Sequence, residues 1–331
     1  SAAAEIKNTC ENLPRRGKIA MKKDLVSLND LSKEEIEKIL DSASFMKQII
    51  LSGNKKAPHL QGKSIVTLFY ENSTRTRMSF ELASKYLGAA SANISASASS
   101  VAKGETLIDT GRTLDMMGTD VIIIRHPMSG AAALLAENVN ASVINAGDGM
   151  NEHPTQALLD MFSLREKKGS LQGLKVAIVG DIFHSRVARS NIIGMSKMGA
   201  RVVLAAPGTL MPPGIEKMGA EIASSADQAV KDADAVMGLR IQKERQQAGL
   251  LPSLREYYNY YGLSPERISL AKPDAVIMHP GPMNRGVEIS SAVADSGQSI
   301  INEQVRSGVA VRMALLHILA HSKEKKDGII N

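Results

Sequence analysis

The sequence predicts an α/β protein of two domains, each built on a mostly parallel sheet flanked by helices. Two observations lead to this fold class. Short, continuous apolar runs alternate with segments of helical spacing, a pattern typical of parallel sheets that are covered on both faces. The 331 residues are also enough to form two separate cores. The predicted strands lie at residues 64–70, 121–124, 141–145, 175–180, 201–205, 233–237 and 275–278.

The predicted helices begin with one that has a clear start. Ser32 and Glu35 form a capping-box pattern, and apolar residues follow at helical spacing up to Ile50. A second helix follows the strand at 64–70 and ends near Gly88, and a long final helix spans about 300–321. No Pro- or Gly-rich linker separates the halves, so we expect domains at 21–152 and 153–310, joined by a helix that begins near His153.

The composition excludes several classes of protein. Hydrophobic content of 44% and charged content of 22% are those of a globular chain, and no run approaches the roughly 18 apolar residues of a membrane span. Aromatic residues make up only 3%, which argues against the stacking platforms that bind single-stranded nucleic acid. The net charge of +6 is concentrated in residues 1–23, where six basic residues face two acidic ones. We therefore expect neither a nucleic-acid nor a membrane partner.

Residues 1–20 are expected to be a disordered N-terminal extension. Three interpretations of this segment remain open: a leader, a transit-like segment, or residues foreign to the protein. Met21 could be a natural start. The segment lacks the apolar region of a secretory signal, so a cytoplasmic location is the simplest prediction. Cys10 is the only cysteine, which excludes an internal disulfide and a cysteine-based metal cluster.

The segment 71–77, Glu-Asn-Ser-Thr-Arg-Thr-Arg, follows a predicted strand and begins a predicted helix. Ligands in open α/β sheets bind beyond the carboxyl ends of strands, and free N–H groups at a helix start attract anions. Ser73, Thr74 and Thr76 add hydroxyl donors, and Arg75 adds a planar guanidinium that suits phosphate oxygens. A polar helix cap with surface charges is the alternative. Three hydroxyls with two arginines favour a phosphate site, although it is not a P-loop.

Three further segments contain cationic or polar groups that suit contact with an anion. The Ser-rich loop 97–105 contains Lys103; taken alone it is a solvated loop, but a loop can also bring a cation over a bound anion. Arg125 directly follows the strand at 121–124. His153 begins a helix, where it is a cap, a packing residue or, beside an anion, a hydrogen-bond donor to a developing oxyanion.

The second half repeats this arrangement. Arg186, the segment Arg240-Ile-Gln242 and the segment from His279 to Arg285 each follow a predicted strand. Arg186 and Arg240 could each be ordinary surface residues, but together they suggest a dicarboxylate site, because guanidinium pairs with carboxylate in a bidentate manner. After Gly180 no glycine occurs before Gly194, so the dinucleotide fingerprint is absent and a nicotinamide dehydrogenase is not expected.

The inventory of functional groups is rich in cations and poor in nucleophiles. The sequence has no Gly-x-Ser-x-Gly elbow, and histidines and carboxylates do not cluster at metal-ligand spacing. The residues therefore favour chemistry by positioning and charge stabilisation.

Together these segments resemble the aspartate carbamoyltransferase family of catalytic chains over about residues 21–322. The segments that carry the resemblance are 69–77, 99–110, 125–127, 153–160, 240–245 and 279–288. The resemblance implies a transcarbamylase fold with a carbamoyl-phosphate domain and an aspartate domain. It also implies that a C-terminal helix, residues 311–322, packs back on the first domain.

The resemblance also implies site residues. Ser73, Thr74, Arg75 and Thr76 would hold the phosphate, and Arg125, His153 and Thr76 would polarise the carbamoyl oxygen. Gln156 would contact the carbamoyl amide. Arg186, Arg240 and Gln242 would bind the aspartate carboxylates, with Pro282 lining the site. Ser99 and Lys103 would reach the site of a neighbouring subunit, where Lys103 would also contact aspartate, so the family implies a homotrimer with shared sites.

The implied reaction is direct attack of the aspartate amine on carbamoyl phosphate, with no cofactor or metal, in pyrimidine biosynthesis. Regulatory or dihydroorotase chains are possible further partners. Two alternatives remain: a transcarbamylase for another amine such as ornithine, and a catalytically silent scaffold subunit. Thr155 and Gly281 stand where ornithine enzymes usually carry other residues, and Arg240 with Gln242 suits a carboxylate acceptor. Within the aspartate family, some members carry Leu in place of Gly281.

Overall fold

The computed structural model describes residues 22–95, 104–241 and 253–322. The strands of the first half are β1 (Ser64–Phe69), β2 (Ala90–Ser95), β3 (Val121–His126) and β4 (Ser142–Asp148). They form a parallel sheet with the strand order β2-β1-β3-β4. Its helices are α1 (Lys33–Leu51), α2 (Thr74–Tyr86), α3 (Leu107–Met116) and α4 (Ala131–Asn138).

The strands of the second half are β5 (Lys175–Val179), β6 (Arg201–Ala205), β7 (Ala220–Ile222), β8 (Ala235–Gly238) and β9 (Val276–Met278). They form a parallel sheet with the strand order β7-β6-β5-β8-β9. Helix α5 (Pro154–Lys168) connects the halves. It is followed by α6 (Arg186–Lys197), α7 (Ala226–Val230), α8 (Leu254–Tyr261), α9 (Pro265–Ile268), α10 (Ser291–Ala294) and α11 (Ile301–Ala320). Short 3-10 turns lie at Leu28–Asp30, Gly208–Leu210 and Ile215–Met218.

The predicted fold class is confirmed, because both sheets are parallel and helices cover their faces. The capping box at the start of α1 is also present. The Ser32 hydroxyl accepts the N–H of Glu35 at 3.2 Å, and the Glu35 carboxylate accepts the N–H of Ser32 at 2.7 Å. In the described part of the chain, no helix is both long and apolar enough to cross a membrane.

The strand orders fix where a ligand can bind. In the first sheet the chain leaves β1 for β2 on one side and later returns to β3 on the other side. In the second sheet it leaves β5 for β6 and later returns to β8. Where successive connections run to opposite sides of a strand in this way, a crevice opens at the carboxyl ends of the neighbouring strands, here β1 with β3 and β5 with β8. The polar segments that follow β1, β3, β5 and β8 therefore flank these two crevices.

The two halves share one apolar core. A single cluster of buried side chains includes Phe80 and Ile144 of the first half, Phe162 of α5, Ile178 of the second sheet and Leu316 of α11. Helix α11 packs against α1 and α2 as well as α5. The division of the chain at residue 152 stays a prediction, but this packing joins the C-terminal helix to elements of the first half.

Candidate active site

The first part of the site is the start of α2, directly beyond β1. Ser73 is the N-cap of this helix, yet its side chain makes no capping hydrogen bond, so its hydroxyl is not used by the helix itself. Thr74 and Arg75 are exposed, whereas Thr76 is buried. The N–H groups of the first turn, the helix dipole and these side chains are the groups that favour an anion at a helix start.

Arg75 lies against the loop that follows β9. Gly281 in this loop has a φ of +63° and precedes Pro282 through a cis peptide bond. A Cβ placed on Gly281 would lie only 1.8 Å from Nη1 of Arg75. Any side chain at position 281 would therefore require both backbone strain and a displacement of Arg75. This contact explains why glycine, and not leucine, suits this chain.

The carboxylate of Glu71 joins arginines from the two halves. Its Oε2 lies 2.8 Å from Nη2 of Arg186, which belongs to α6, and 3.3 Å from Nε of Arg125, at the end of β3. Arg125 also donates from Nη1 to the carbonyl of Ala146 at 3.2 Å, and Arg186 donates to that of Gly149 at 3.2 Å. Glu71 is not among the site residues predicted from the sequence, although an acidic residue beside an arginine-rich segment was a visible signal.

A glycine brings these two arginines close together. Gly147 has a φ of +118°, and a Cβ placed there would lie 2.9 Å from Cζ of Arg186 and 3.3 Å from Nη1 of Arg125. A side chain at 147 would push the guanidinium groups apart. The fold thus places two cations beside one carboxylate, so these three side chains carry a net positive charge, which suits an anionic ligand.

His153 is the N-cap of α5 and is 5% exposed. Burial, together with the positive charges of Arg125, Arg186 and Arg312, lowers the pKa of its imidazole well below the usual value. The ring is therefore neutral near pH 7 and can donate one hydrogen bond. The Thr155 hydroxyl lies 3.4 Å from Nδ1, and the His153 backbone N–H donates to the Ser190 hydroxyl at 2.9 Å.

The turn before α6 places Arg186. Asp181 is fully buried, and its carboxylate lies 2.9 Å from Nδ1 of His184. The hydroxyl of Ser185 caps α6 by accepting the N–H of Ala188 at 3.1 Å. Arg186 is consequently the first residue of the helix, and its side chain is held against Glu71 of the other half.

The structure brings some of the predicted site residues together. Arg125 and Arg186 both contact Glu71, their charges act on His153, and Arg75 lies against the loop of Pro282. Gln156 lies in the first turn of α5, and half-buried Arg240 follows β8 at the second crevice. Ser99, Lys103 and Gln242 lie outside the described residues, so their roles stay predictions.

Comparison with family models divides the chain into two matching parts. Residues 23–166 match the carbamoyl-phosphate-binding domain of aspartate/ornithine carbamoyltransferase, and residues 172–319 match the Asp/Orn-binding domain of the same family. The two matches cover most of the chain and fall on its two sheets.

Individual proteins are similar over nearly the whole chain. The aspartate carbamoyltransferase catalytic subunit of Acetivibrio thermocellus is 70% identical over 301 residues, which are 91% of this chain and 96% of the relative. The corresponding subunit of Ruminiclostridium cellulolyticum is 66% identical over 309 residues, 93% of this chain and 97% of the relative.

Solved structures of aspartate and of ornithine carbamoyltransferases are both similar to this chain. Aspartate transcarbamoylase from Trypanosoma cruzi, in complex with N-(phosphonacetyl)-L-aspartic acid, is 33% identical with a TM-score of 0.82, covering 90% of this chain and 96% of that one. Ornithine carbamoyltransferase from Pyrococcus furiosus is 32% identical with a TM-score of 0.80, covering 88% and 95%. These structures do not separate the two acceptors, whereas the relatives of 66–70% identity both carry the aspartate name.

Proposed function

The chain belongs to the aspartate/ornithine carbamoyltransferase family, and on that premise we propose that it is an aspartate carbamoyltransferase. It transfers the carbamoyl group of carbamoyl phosphate to the α-amino group of L-aspartate, a step of pyrimidine biosynthesis, and releases phosphate. The observation that carries this proposal is the meeting of Arg125, Arg186 and Glu71 between the two crevices. Such a cluster suits two anionic substrates that must react with each other.

The phosphate group binds at the start of α2. We assign it to the backbone N–H groups of the first turn and to the side chains of Ser73, Thr74, Arg75 and Thr76, with Ser99 and Lys103 added from a neighbouring chain. The unused hydroxyl of Ser73 and the exposure of Arg75 support this assignment. A dianion at this position gains from both the helix dipole and charge-assisted hydrogen bonds.

The carbamoyl oxygen faces donors from Arg125, His153 and Thr76. When the amine nitrogen attacks the carbonyl carbon, negative charge develops on this oxygen, and fixed donors stabilise that charge. The tetrahedral intermediate then collapses by cleavage of the carbon–oxygen bond to phosphate. The nitrogen loses one proton, which in the net reaction the released phosphate takes up. Because His153 is neutral, it acts as a hydrogen-bond donor and not as a cation.

The aspartate carboxylates bind to Arg186, Arg240 and Gln242, beside Pro282 and Lys103. Two guanidinium groups spaced across the second crevice favour a dicarboxylate over the ammonium side chain of ornithine. Positioning of both substrates, with no covalent enzyme intermediate, then supplies much of the rate enhancement.

Replacing Glu71 with Gln removes the charge that both Arg125 and Arg186 contact. Because breaking a partly buried ion pair leaves uncompensated charge, we expect kcat/KM for aspartate to fall by about 10²-fold. Steady-state kinetics at saturating carbamoyl phosphate measures this change. Glu81→Gln is the matched control, since Glu81 lies on α2 and accepts hydrogen bonds from Lys85 and Asn93. Equal activity of the two variants would contradict a role for Glu71.

We further propose a homotrimer in the cytoplasm, in which each site is completed by Ser99 and Lys103 of a neighbouring chain. Met116, Met117 and Met128 support association, because these residues are 88%, 75% and 68% exposed. Contact with a neighbouring chain would remove their apolar side chains from water. Regulatory or dihydroorotase chains are possible additional partners of such a trimer.

The proposed function is tested by phosphate release with separate acceptors. The purified protein is incubated with carbamoyl phosphate and L-aspartate, L-ornithine or succinate, and the phosphate released above the rate without acceptor is measured. We expect release with aspartate alone, since ornithine lacks the second carboxylate and succinate lacks the amine. Release with ornithine alone would point to the other branch of the family, and no release from a folded trimer would favour a silent scaffold.

A further inference from the structure

A buried carboxylate lies one helical turn beyond Gln156. Asp160 of α5 is fully buried, and three side-chain amides donate hydrogen bonds to it. Nε2 of Gln156 and Nε2 of Gln304 reach its Oδ1 at 2.9 and 2.8 Å, and Nδ2 of Asn191 reaches its Oδ2 at 2.8 Å. The donors come from three helices, α5, α6 and α11.

The carboxylate determines which way these amides face. An ionised carboxylate only accepts hydrogen bonds, so each neighbouring amide must present its NH₂ group to Asp160. The carbonyl oxygen of each amide then faces away from it. No described donor bonds Oε1 of Gln156, which leaves this oxygen able to accept a hydrogen bond from a ligand beside the first turn of α5.

The side-chain amide of Gln304 connects Asp160 with the loop that follows β9. Oε1 of Gln304 accepts the backbone N–H of His279 at 3.0 Å, and Nδ1 of His279 accepts the N–H of Gly281 at 2.8 Å. The other ring nitrogen of His279 therefore carries the proton and faces Glu288 at 3.2 Å. Gly281, which precedes Pro282, is the residue of this loop that lies against Arg75.

We propose that Asp160 is a positioning residue for both halves of this active site. It orients Gln156 so that Oε1 accepts a hydrogen bond from the NH₂ of the carbamoyl group. Through Gln304 and His279 it also fixes the loop of Gly281 and Pro282 on the acceptor side. The inference rests on the proposed function, since it assigns a carbamoyl group to the space beside Gln156.

The electrostatic surroundings keep Asp160 in its accepting form at neutral pH. Burial raises the pKa of this carboxyl to about 6, and the three amide donors and Arg312 oppose that rise. Arg312 is itself buried, with its Nη1 on the hydroxyl of Ser79 at 2.8 Å and its guanidinium over the ring of Phe80. Below about pH 6 the carboxyl is protonated and can itself donate, so it no longer dictates the orientation of Gln156.

The test is the affinity of two ligands that share the phosphate site. Carbamoyl phosphate uses Gln156, whereas inorganic phosphate does not. In Asp160→Asn the new amide can donate, so Gln156 can turn its oxygen inward. We expect the Kd for carbamoyl phosphate, measured by calorimetry at pH 7.5, to rise by about 10-fold while the Kd for phosphate stays unchanged. An unchanged Kd for carbamoyl phosphate would overturn the proposal.

A double-mutant comparison separates positioning from general damage. Gln156→Ala should weaken the binding of carbamoyl phosphate by a similar factor. Adding Asp160→Asn to this variant should cause no further loss of affinity for carbamoyl phosphate, because Asp160 acts on this ligand through Gln156. Additive losses would overturn this. Asn191→Ala removes one donor to Asp160 but leaves Gln156 and Gln304 in place. It should therefore lower thermal stability yet leave the ratio of the Kd for carbamoyl phosphate to the Kd for phosphate unchanged. A changed ratio in Asn191→Ala would show that the loss in Asp160→Asn comes from general structural damage, and it would overturn the positioning role.

The connection from Asp160 through Gln304 to the loop of Pro282 has its own variant. This variant remains informative if Asp160→Asn does not fold. Gln304→Leu keeps the contact between Gln156 and Asp160 but removes the hydrogen bond to His279. We expect the KM for aspartate to rise by about 5- to 10-fold, whereas the Kd for carbamoyl phosphate, which depends on this loop only through Arg75, should change by less than about 2-fold. An unchanged KM for aspartate would overturn the proposal that Gln304 and His279 fix the loop on the acceptor side. Failure of the wild-type protein to carbamoylate aspartate would instead count against the proposed function.

Discussion

Replacing Arg125 with Ala should lower kcat by about 10²–10³-fold, because it removes a fixed donor to the oxygen on which charge develops. The side chain is held by the Ala146 carbonyl and by Glu71, so its guanidinium is oriented before substrate binds. The KM for aspartate should change much less, since Arg125 acts on the carbamoyl group. Steady-state rates at saturating concentrations of both substrates measure the effect.

A matched control distinguishes this loss from a general effect of removing an arginine. Arg112 lies exposed on α3 and contacts only the side chain of Asn138 among the described residues, so Arg112→Ala should retain the wild-type kcat. If Arg125→Ala raised KM alone and kept kcat, Arg125 would contribute to binding equally in the ground and transition states. That result would contradict its assignment as an oxyanion donor.

Mixing two inactive variants should restore activity if sites are shared between chains. Arg75→Ala removes the phosphate ligand of a chain, and Lys103→Ala removes the residue proposed to reach the neighbouring site. In randomly mixed trimers, about a quarter of the sites then combine an intact Arg75 with an intact Lys103 of the adjacent chain. We expect activity to rise from near zero toward about a quarter of the wild-type value.

The mixing experiment needs proof that chains exchange. Native mass spectrometry of variants that differ in mass shows the mixed trimers directly, and each variant subjected alone to the same treatment should stay inactive. Mixed trimers without activity would contradict a site built from two chains. Such a result would leave the reaction of each chain as proposed but place Lys103 outside its neighbour's site.

Most of the fold is predictable from the sequence because the buried strands are continuous apolar runs. Two edge strands were missed. β2 consists mainly of small and polar residues, and β7 is only three residues long with two of them exposed. Edge strands bury fewer side chains than central ones, so their sequences carry a weaker apolar pattern.

The candidate site was predictable where chemistry coincides with the end of a strand. Arg75, Arg125 and Arg186 were found in this way, because parallel sheets place ligands at these points. Glu71 and Asp160 were not assigned roles. Their partners include Arg186 and Gln304, which are more than 100 residues away in sequence. The importance of each carboxylate depends on tertiary packing, which no local pattern contains.

The most direct test of the central claim is identification of the bond that forms. The protein is mixed with carbamoyl phosphate labelled with ¹³C in the carbamoyl carbon and with equal concentrations of L-aspartate and L-ornithine, and the products are followed by NMR. The assignment of Arg186 and Arg240 to a dicarboxylate predicts that the label appears in N-carbamoyl-L-aspartate and that citrulline is absent. Label in citrulline, with none in carbamoyl aspartate, would contradict it.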